Sequence, residues 1–439
     1  MKKKIPEETL KLLKYIDATP TPYHAAEELA RMLEESGAER LCETDKWDKL
    51  VPGKNYYLIR NDSCIAAFRL GKHSPETAGW HISLSHIDYP CLRIRPNPTA
   101  LSESYERICA ETYGGLIHHS WFDRPLGLAG RVYLKADNAC GMRAQNVDFK
   151  RPLLVIPELA IHMNNGVNEG AKFNPQTEML PVFSQNFKGE KGFAAFLAAS
   201  LKVKPEDILS WDLSAYDCQK ACTTGENDEF ISAPHLDDGE MAFCSFKGFI
   251  DALGRGKDGP APLPDFNSVA IAYDHEEVGS VSDRGARSNF LTSLLGRIHE
   301  NIGSTDEDIT RSMSGSVVCS GDMAHASHPS YPGTFDADHK IYLNKGPVLK
   351  HSFSQSYIES PKASAIFRKY CSDNSVPFQE FVNRNDMRSG STVGPASASS
   401  IGAIGFDIGN PIFSMHSIRE FGGTYDVKYA TDFFRAFHR

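Results

Sequence analysis

The run Val269, Ile271 and Tyr273 alternates with small residues and then stops in Asp274-His275-Glu276-Glu277-Val278-Gly279. Such alternation predicts a β-strand, and the charged stop places neighbouring carboxylates at its carboxyl end. In open α/β sheets, sites collect beyond the carboxyl ends of the strands. Side chains alternate faces along an extended chain, so Glu276 and Glu277 are expected to point apart. One can then bind a metal while the other holds the water that the metal activates, the division of labour of a metal-dependent hydrolase. An isolated Glu-Glu pair is more often a solvated acidic turn, so the weight rests on the rest of the chain.

Four further segments set polar residues beside apolar runs: Ser85-His86-Ile87-Asp88, Pro234-His235-Leu236-Asp237-Asp238-Gly239, Ser320-Gly321-Asp322-Met323-Ala324-His325, and Phe413-Ser414-Met415-His416-Ser417. His86 and Asp88 share a face if the chain stays extended, and a metal-bound histidine often has a carboxylate that fixes its ring. Asp237 precedes the apolar run Met241–Leu253, where an aspartate is ordinarily a helix cap. Singly, each is most often a satisfied polar group. Together, two His, two Asp and two Glu suit a two-metal site. There is no HExxH, because His275-Glu276-Glu277-Val278-Gly279 lacks the second histidine; a single-zinc helix site finds no support. Gly390-Ser391-Thr392-Val393-Gly394 has threonine where a serine hydrolase carries its nucleophile. Gly254-Arg255-Gly256-Lys257-Asp258-Gly259 matches G-x-G-x-x-G but runs into prolines rather than a helix, so it reads as a surface loop.

A chain of 439 residues is long enough for two or more domains. Its 41% hydrophobic and 23% charged residues are those of a globular protein. A net charge of −9 argues against nucleic acid as a main partner. Lys2-Lys3-Lys4 is followed by Ile5-Pro6-Glu7-Glu8 rather than an apolar stretch, which argues against export, and no long apolar run suggests a membrane span. The ten cysteines form no CxxC pair and read as reduced thiols of a cytoplasmic protein. Along the chain, helices are expected over Leu10–Ile16 and Tyr23–Glu35, with Thr21 as N-cap and Pro22 at the first helical position. Strands are expected at Tyr56–Arg60, Cys64–Leu70 and His81–Ser85. From about Arg93 the texture turns to short strands and polar turns, with a helical signal at Phe193–Leu201, and from about 232 strands and helices alternate. The expectation is a discontinuous α/β domain, 1–92 plus 232–439, interrupted by a β-rich insert, 93–231.

With these residues in view, the chain resembles the aspartyl aminopeptidase family of dinuclear metallopeptidases almost end to end. The matching segments include Thr21-Pro22-Tyr23-His24-Ala25-Ala26, Ser85–Leu92, Ser120-Trp121-Phe122-Asp123-Arg124-Pro125-Leu126, Leu236-Asp237, Tyr273–Ser280, Asp322-Met323-Ala324-His325-Ala326, Asn344–Lys350 and Met415–Glu420. The resemblance implies a zinc-peptidase-like α/β catalytic domain with an insert that makes dimer contacts. It implies two divalent metal ions per subunit, zinc with manganese or cobalt as alternatives. Asp237 would bridge them, His86 and Asp322 would complete one ligand set, and Glu277 and His416 the other. Glu276 would be the general base and Asp88 the residue that holds His86. His162 would reach a neighbouring subunit's site in a dodecamer, and Lys350 would face the substrate side chain, favouring N-terminal Asp or Glu by charge. Some relatives favour Leu-like residues. Asp386 and Ser391–Gly394 would line the pocket. The sequence departs from the pattern at Asp238, where Asn is commoner, and slightly at Gly422-Gly423-Thr424. The expected activity is release of N-terminal Asp or Glu from peptides. The alternatives are an aminopeptidase of neutral or apolar N-termini and a catalytically silent self-assembling scaffold.

Overall fold

The computed structural model describes residues 4–185, 192–253, 255–256, 259–260, 262–387 and 390–439. Gly254, Lys257 and Asp258 of the glycine-rich loop lie outside them. Contacts divide the chain into two compact units, one of 1–88, 221–415 and 420–439, the other of 89–220 and 416–419. The sequence reading placed the boundaries at 92/93 and 231/232. The return to the first unit comes earlier because Cys222–Thr224 pairs with Phe230–Ala233, which pairs in turn with Glu420–Gly423. His416–Arg419 belongs with the second unit, which composition did not reveal.

The first unit is built on a nine-stranded sheet. Its centre is four parallel strands, Asn267–Tyr273, Trp80–His86, Val317–Gly321 and Ile404–Gly409, in that spatial order. Cys64–Arg69 flanks them antiparallel on one side and Val348–His351 on the other. Every residue of Trp80–His86 is buried, as expected of a parallel strand covered on both faces. Its alternation explains how. Trp80, Ile82 and Leu84 pack in a core with Val269, Ile271, Val318, Phe290 and Leu294. The opposite face meets helices Leu236–Asp251 and Asp426–Phe437, with Ser83 hydrogen-bonded to Ser245 at 2.7 Å and His438 at 2.9 Å. A second core on that face gathers Ala270, Ala272, Cys319 and Phe406 with Phe243, Phe246, Phe433 and Phe434.

The expected helices appear as Glu7–Ala18, Pro22–Glu35 and Phe193–Leu201. Thr21 stands at the N-cap, but its hydroxyl bonds His24 Nδ1 at 2.8 Å instead of a backbone amide. Thr392 is itself an N-cap: it starts helix Val393–Ile401, accepts from the Gly394 amide and lies 2.7 Å from Asp407 Oδ1.

The second unit carries a six-stranded antiparallel sheet in the order Met142–Asp148, Leu126–Lys135, Ile208–Asp217, Cys91–Ser102, Tyr105–Tyr113, Val182–Gln185. Leu92, Ile108, Leu128, Val132 and Leu213 form its core with Phe193 and Leu197.

Candidate metal centre

Three of the four parallel strands deliver expected site residues at their carboxyl ends. Trp80–His86 ends in His86, Val317–Gly321 is followed at once by Asp322, and Asn267–Tyr273 runs into the Glu276–Val278 turn. The pairing puts Tyr273 level with His86. The Asp322 amide donates to the Ile408 carbonyl at 3.0 Å, and Gly409 makes room for this crossing: a Cβ there would stand 1.8 Å from the Asp322 carbonyl oxygen.

Asp237 comes from the start of the helix on the covering face. Its backbone (φ −84°, ψ 107°) and that of Asp238 are not helical, and the peptide between them is cis. Asp237 thus sits ahead of the regular helical turns. Its amide donates to Glu420 Oε2 at 2.9 Å, while Asp238 Oδ2 accepts the His86 amide at 3.1 Å. Asp238, the residue that departs from the family pattern, thus ties the start of the helix to the end of the strand.

Glu276 and Glu277 are not in extended chain. The strand stops at Tyr273, and the pair sits on a short 3₁₀ turn entered through His275 in the left-handed region (φ 64°). Strand alternation therefore does not set their directions. Asp88 does: its Oδ1 accepts the Glu276 amide and its Oδ2 the Glu277 amide, both at 3.1 Å. Asp88 also serves His86, whose Nδ1 lies 3.1 Å from the Asp88 carbonyl oxygen and 3.4 Å from its Oδ1. One residue orients both the histidine and the acidic turn.

The result is a constellation whose donor atoms lie within 4.8 Å of one another, as His86–Asp237–Asp322 and as His86–Glu276–Glu277. His86 Nε2 stands 3.6 Å from Asp237 Oδ1 and 4.0 Å from Glu276 Oε2. Burial raises Glu276 to about 8, opposed by His86 and reinforced by Asp322, Asp88 and Asp237. Burial likewise lifts Asp322 to about 6 against the pull of Lys350, and lifts Glu277 well above the usual carboxylate range. Burial would neutralise His86, but its contacts with Asp237 and Asp88 hold its pKa well above the ordinary value. So many buried carboxylates around one imidazole call for cationic charge. Oxygen donors and one imidazole are the donor set of zinc, manganese or cobalt, so the residues fit a metal.

Lys350 is not a surface lysine: it is 3% exposed, on strand Val348–His351 opposite Asp407, with Nζ 5.1 Å from the Tyr357 ring centre. Burial would lower its pKa, but Asp322, Tyr357 and Asp407 hold it above the ordinary value. His416 lies in the second unit, left-handed (φ 67°), with Nδ1 3.0 Å from the Gly115 carbonyl. His162 is exposed in the same unit, in a turn with Leu159, Ile161 and Met163, exposed by 51%, 51% and 76%. Asp386 is exposed and paired with Arg384. Sequence reading gave no role to Asp407, Glu420 or Tyr357. A carboxylate inside the apolar strand Ile404–Gly409 was the available signal for Asp407.

The family model for "Aminopeptidase I zinc metalloprotease (M18)" matches residues 15–438. A "Probable M18 family aminopeptidase 2" of Pseudomonas aeruginosa (strain LESB58) is 39% identical over 97% of both chains, and one of Clostridium acetobutylicum is 38% identical over 98% of both. Among solved structures, a chain of the Ape4 and Nbr1 complex superposes with a TM-score of 0.92 at 36% identity, covering 98% of this chain and 85% of that one. The S. cerevesiae mApe1 dodecamer gives 0.82 at 26% identity, covering 98% and 96%. The chain therefore belongs to the M18 family of zinc metallo-aminopeptidases, hydrolases that act on peptide bonds.

Proposed function

We propose that this aminopeptidase releases N-terminal Asp or Glu from peptides, using two metal ions per subunit. Asp237 would be shared between the ions, with His86 and Asp322 holding one and Glu277 and His416 holding the other. When bound, the ions lower the pKa of a water and polarise the scissile carbonyl. Glu276 accepts the proton of the attacking water on its carboxylate and delivers it to the nitrogen of the leaving amine. Asp88 holds Glu276 and Glu277 by their amides, so the base and a ligand move as one piece. Glu276, raised to about 8 by burial and neighbouring carboxylates, is basic enough to take a proton once cations offset those charges. Two cations a few ångströms apart repel unless an anion lies between them, which makes Asp237 the least replaceable ligand.

The observation that carries the acidic preference is Lys350, a buried cation whose neighbours include the expected ligand Asp322. A substrate carboxylate arriving there gains a charge-assisted partner in a dry site. We also propose that the second unit serves assembly and that His162 steadies the developing oxyanion in a neighbouring subunit. The exposed Leu159, Ile161 and Met163 beside it support a covered turn, and an S. cerevesiae relative is a dodecamer.

The test is steady-state hydrolysis of Asp-, Glu-, Leu- and Lys-peptides with zinc, manganese or cobalt, and with a chelator. Chelator-sensitive cleavage favouring Asp and Glu, lost in Lys350→Met, is expected. Metal-dependent cleavage favouring Leu would overturn the specificity and keep the chemistry. Absence of cleavage with the assembly intact would favour a silent scaffold.

A further inference from the structure

The chain leaves Asp322 as the short strand Ala324–His325, which pairs in parallel with Pro411–Phe413. The Ala326 amide extends the ladder by donating to the Ile412 carbonyl at 2.9 Å. One strand begins two residues after an expected metal ligand, and the other ends three residues before His416. Side chains from this ladder form one wall of a cavity of about 300 Å³. Phe335, Phe381, Met387, Phe413 and Met415 supply its apolar and aromatic surface, and His325, His328, Thr334, Asn383 and Ser414 are among the polar residues that share the lining. The charged groups on its rim are committed to neighbours: Arg384 to Asp386 and the Gly333 carbonyl, Asp336 to His339 at 2.7 Å. None of Lys350, Asp322, Asp407 and Tyr357 lines it, so it is a different recess from the one that holds the buried lysine.

An aminopeptidase has a single substrate residue on the amino side of the scissile bond. If Lys350 reads that residue, a second recess beside the ligands has only the leaving peptide to receive. We infer that this cavity takes the side chain of the residue after the scissile bond and favours a large apolar or aromatic one. The inference rests on the aminopeptidase reading above. The volume is at the lower end of the ~300–1,000 Å³ of ligand pockets, room for one large side chain.

The test is a series of Asp-Xaa-Ala-Ala peptides with Xaa as Gly, Ala, Leu or Phe, with kcat/KM read for each on the zinc-loaded protein. Thr334→Trp, which narrows the recess, and Met387→Ala, which strips its rim, are run in parallel. The Phe-over-Gly ratio should be about tenfold or more in the unaltered protein and fall to about threefold or less in either variant. A ratio does not depend on how much of a sample is folded. A flat series overturns the inference on the unaltered protein alone, and so does a preference that both variants keep. If another first residue is cleaved faster than Asp, the series is repeated behind that residue. Loss of the acidic preference then counts against Lys350, while the recess is judged on Xaa. If no peptide is cleaved, both readings fall.

Discussion

Strand Trp80–His86 carries a buried histidine near each end, and the two have opposite electrostatics. His81 is 4% exposed and His86 1%. His81 lies between the rings of Phe266 and Phe437, 4.0 and 4.7 Å away, with Nδ1 2.6 Å from the Phe437 carbonyl. Burial depresses it to about 4, so it is neutral. His86 is buried just as deeply, yet Asp237, Asp88, Asp238 and Glu276 keep its pKa well above the ordinary value. Burial therefore does not distinguish a core histidine from one proposed as a ligand; the carboxylates delivered to one strand end do. At the other end Arg69, fully buried, donates to the neutral oxygens of Asn55, Phe249 and His438 and stacks on the Phe249 ring.

The sharpest way to break this contrast is His86→Ala. Turnover should fall by more than the ~10²–10⁴-fold that loss of a general base alone costs, because the variant should also lose zinc, read by elemental analysis. Zinc retention should depend on pH in the same sense. Asp322, raised to about 6 chiefly by burial, must be deprotonated to bind metal. His86 and Glu277, both raised well above their ordinary values, must lose protons too, so binding should weaken throughout the fall from pH 8 to 5, by about tenfold or more per unit below 6; retention unchanged over that range would count against this ligand set. Next comes Glu276→Gln, which should keep its zinc and lose ~10²–10⁴-fold in kcat. Turnover surviving with zinc bound would remove Glu276 from the chemistry. Asp88→Asn should cost less, ~10–100-fold, since it weakens the grip on the Glu276 and Glu277 amides without removing either carboxylate. An effect of that size in kcat with zinc retained marks positioning; loss of zinc alone would mark Asp88 as a support for His86 only.

Much of this was legible in the residues because strand ends announce themselves. His86, Asp322 and the Glu276-Glu277 pair each follow an apolar or alternating run that reads as a strand. What was not legible was set by backbone geometry and long-range pairing. The left-handed His275 follows from no local propensity, so the acidic pair read as extended chain, and for Asp237 the local sequence offered only a helix cap, the ligand role coming from the resemblance. Asp88 was assigned to His86 from their spacing, whereas its bonds to the Glu276 and Glu277 amides span 188 and 189 positions. The burial of Lys350 was not legible, because nothing near it in sequence shows that its strand pairs with the one carrying Asp407.

The smallest effect tests the other end of the strand. His81→Phe keeps a ring between Phe266 and Phe437 and removes the bond to the Phe437 carbonyl. Leaving that acceptor unpaired should cost about 1–3 kcal/mol of stability, with kcat/KM and zinc content unchanged. The pH dependence of stability gives a second, independent reading. The folded pKa of His81, about 4, lies below its ordinary 6.5. Between those values the unfolded chain binds a proton that the folded one refuses. Its contribution is therefore fully present above pH 6.5 and is lost as pH falls towards 4, at about 1.4 kcal/mol per unit. The variant should lack that slope in denaturant titrations. If His81→Phe instead lowered zinc content or turnover, the two histidines would not be independent. The strand would then carry strain from its core end to its ligand end, and the contrast between them would have to be redrawn as a coupling.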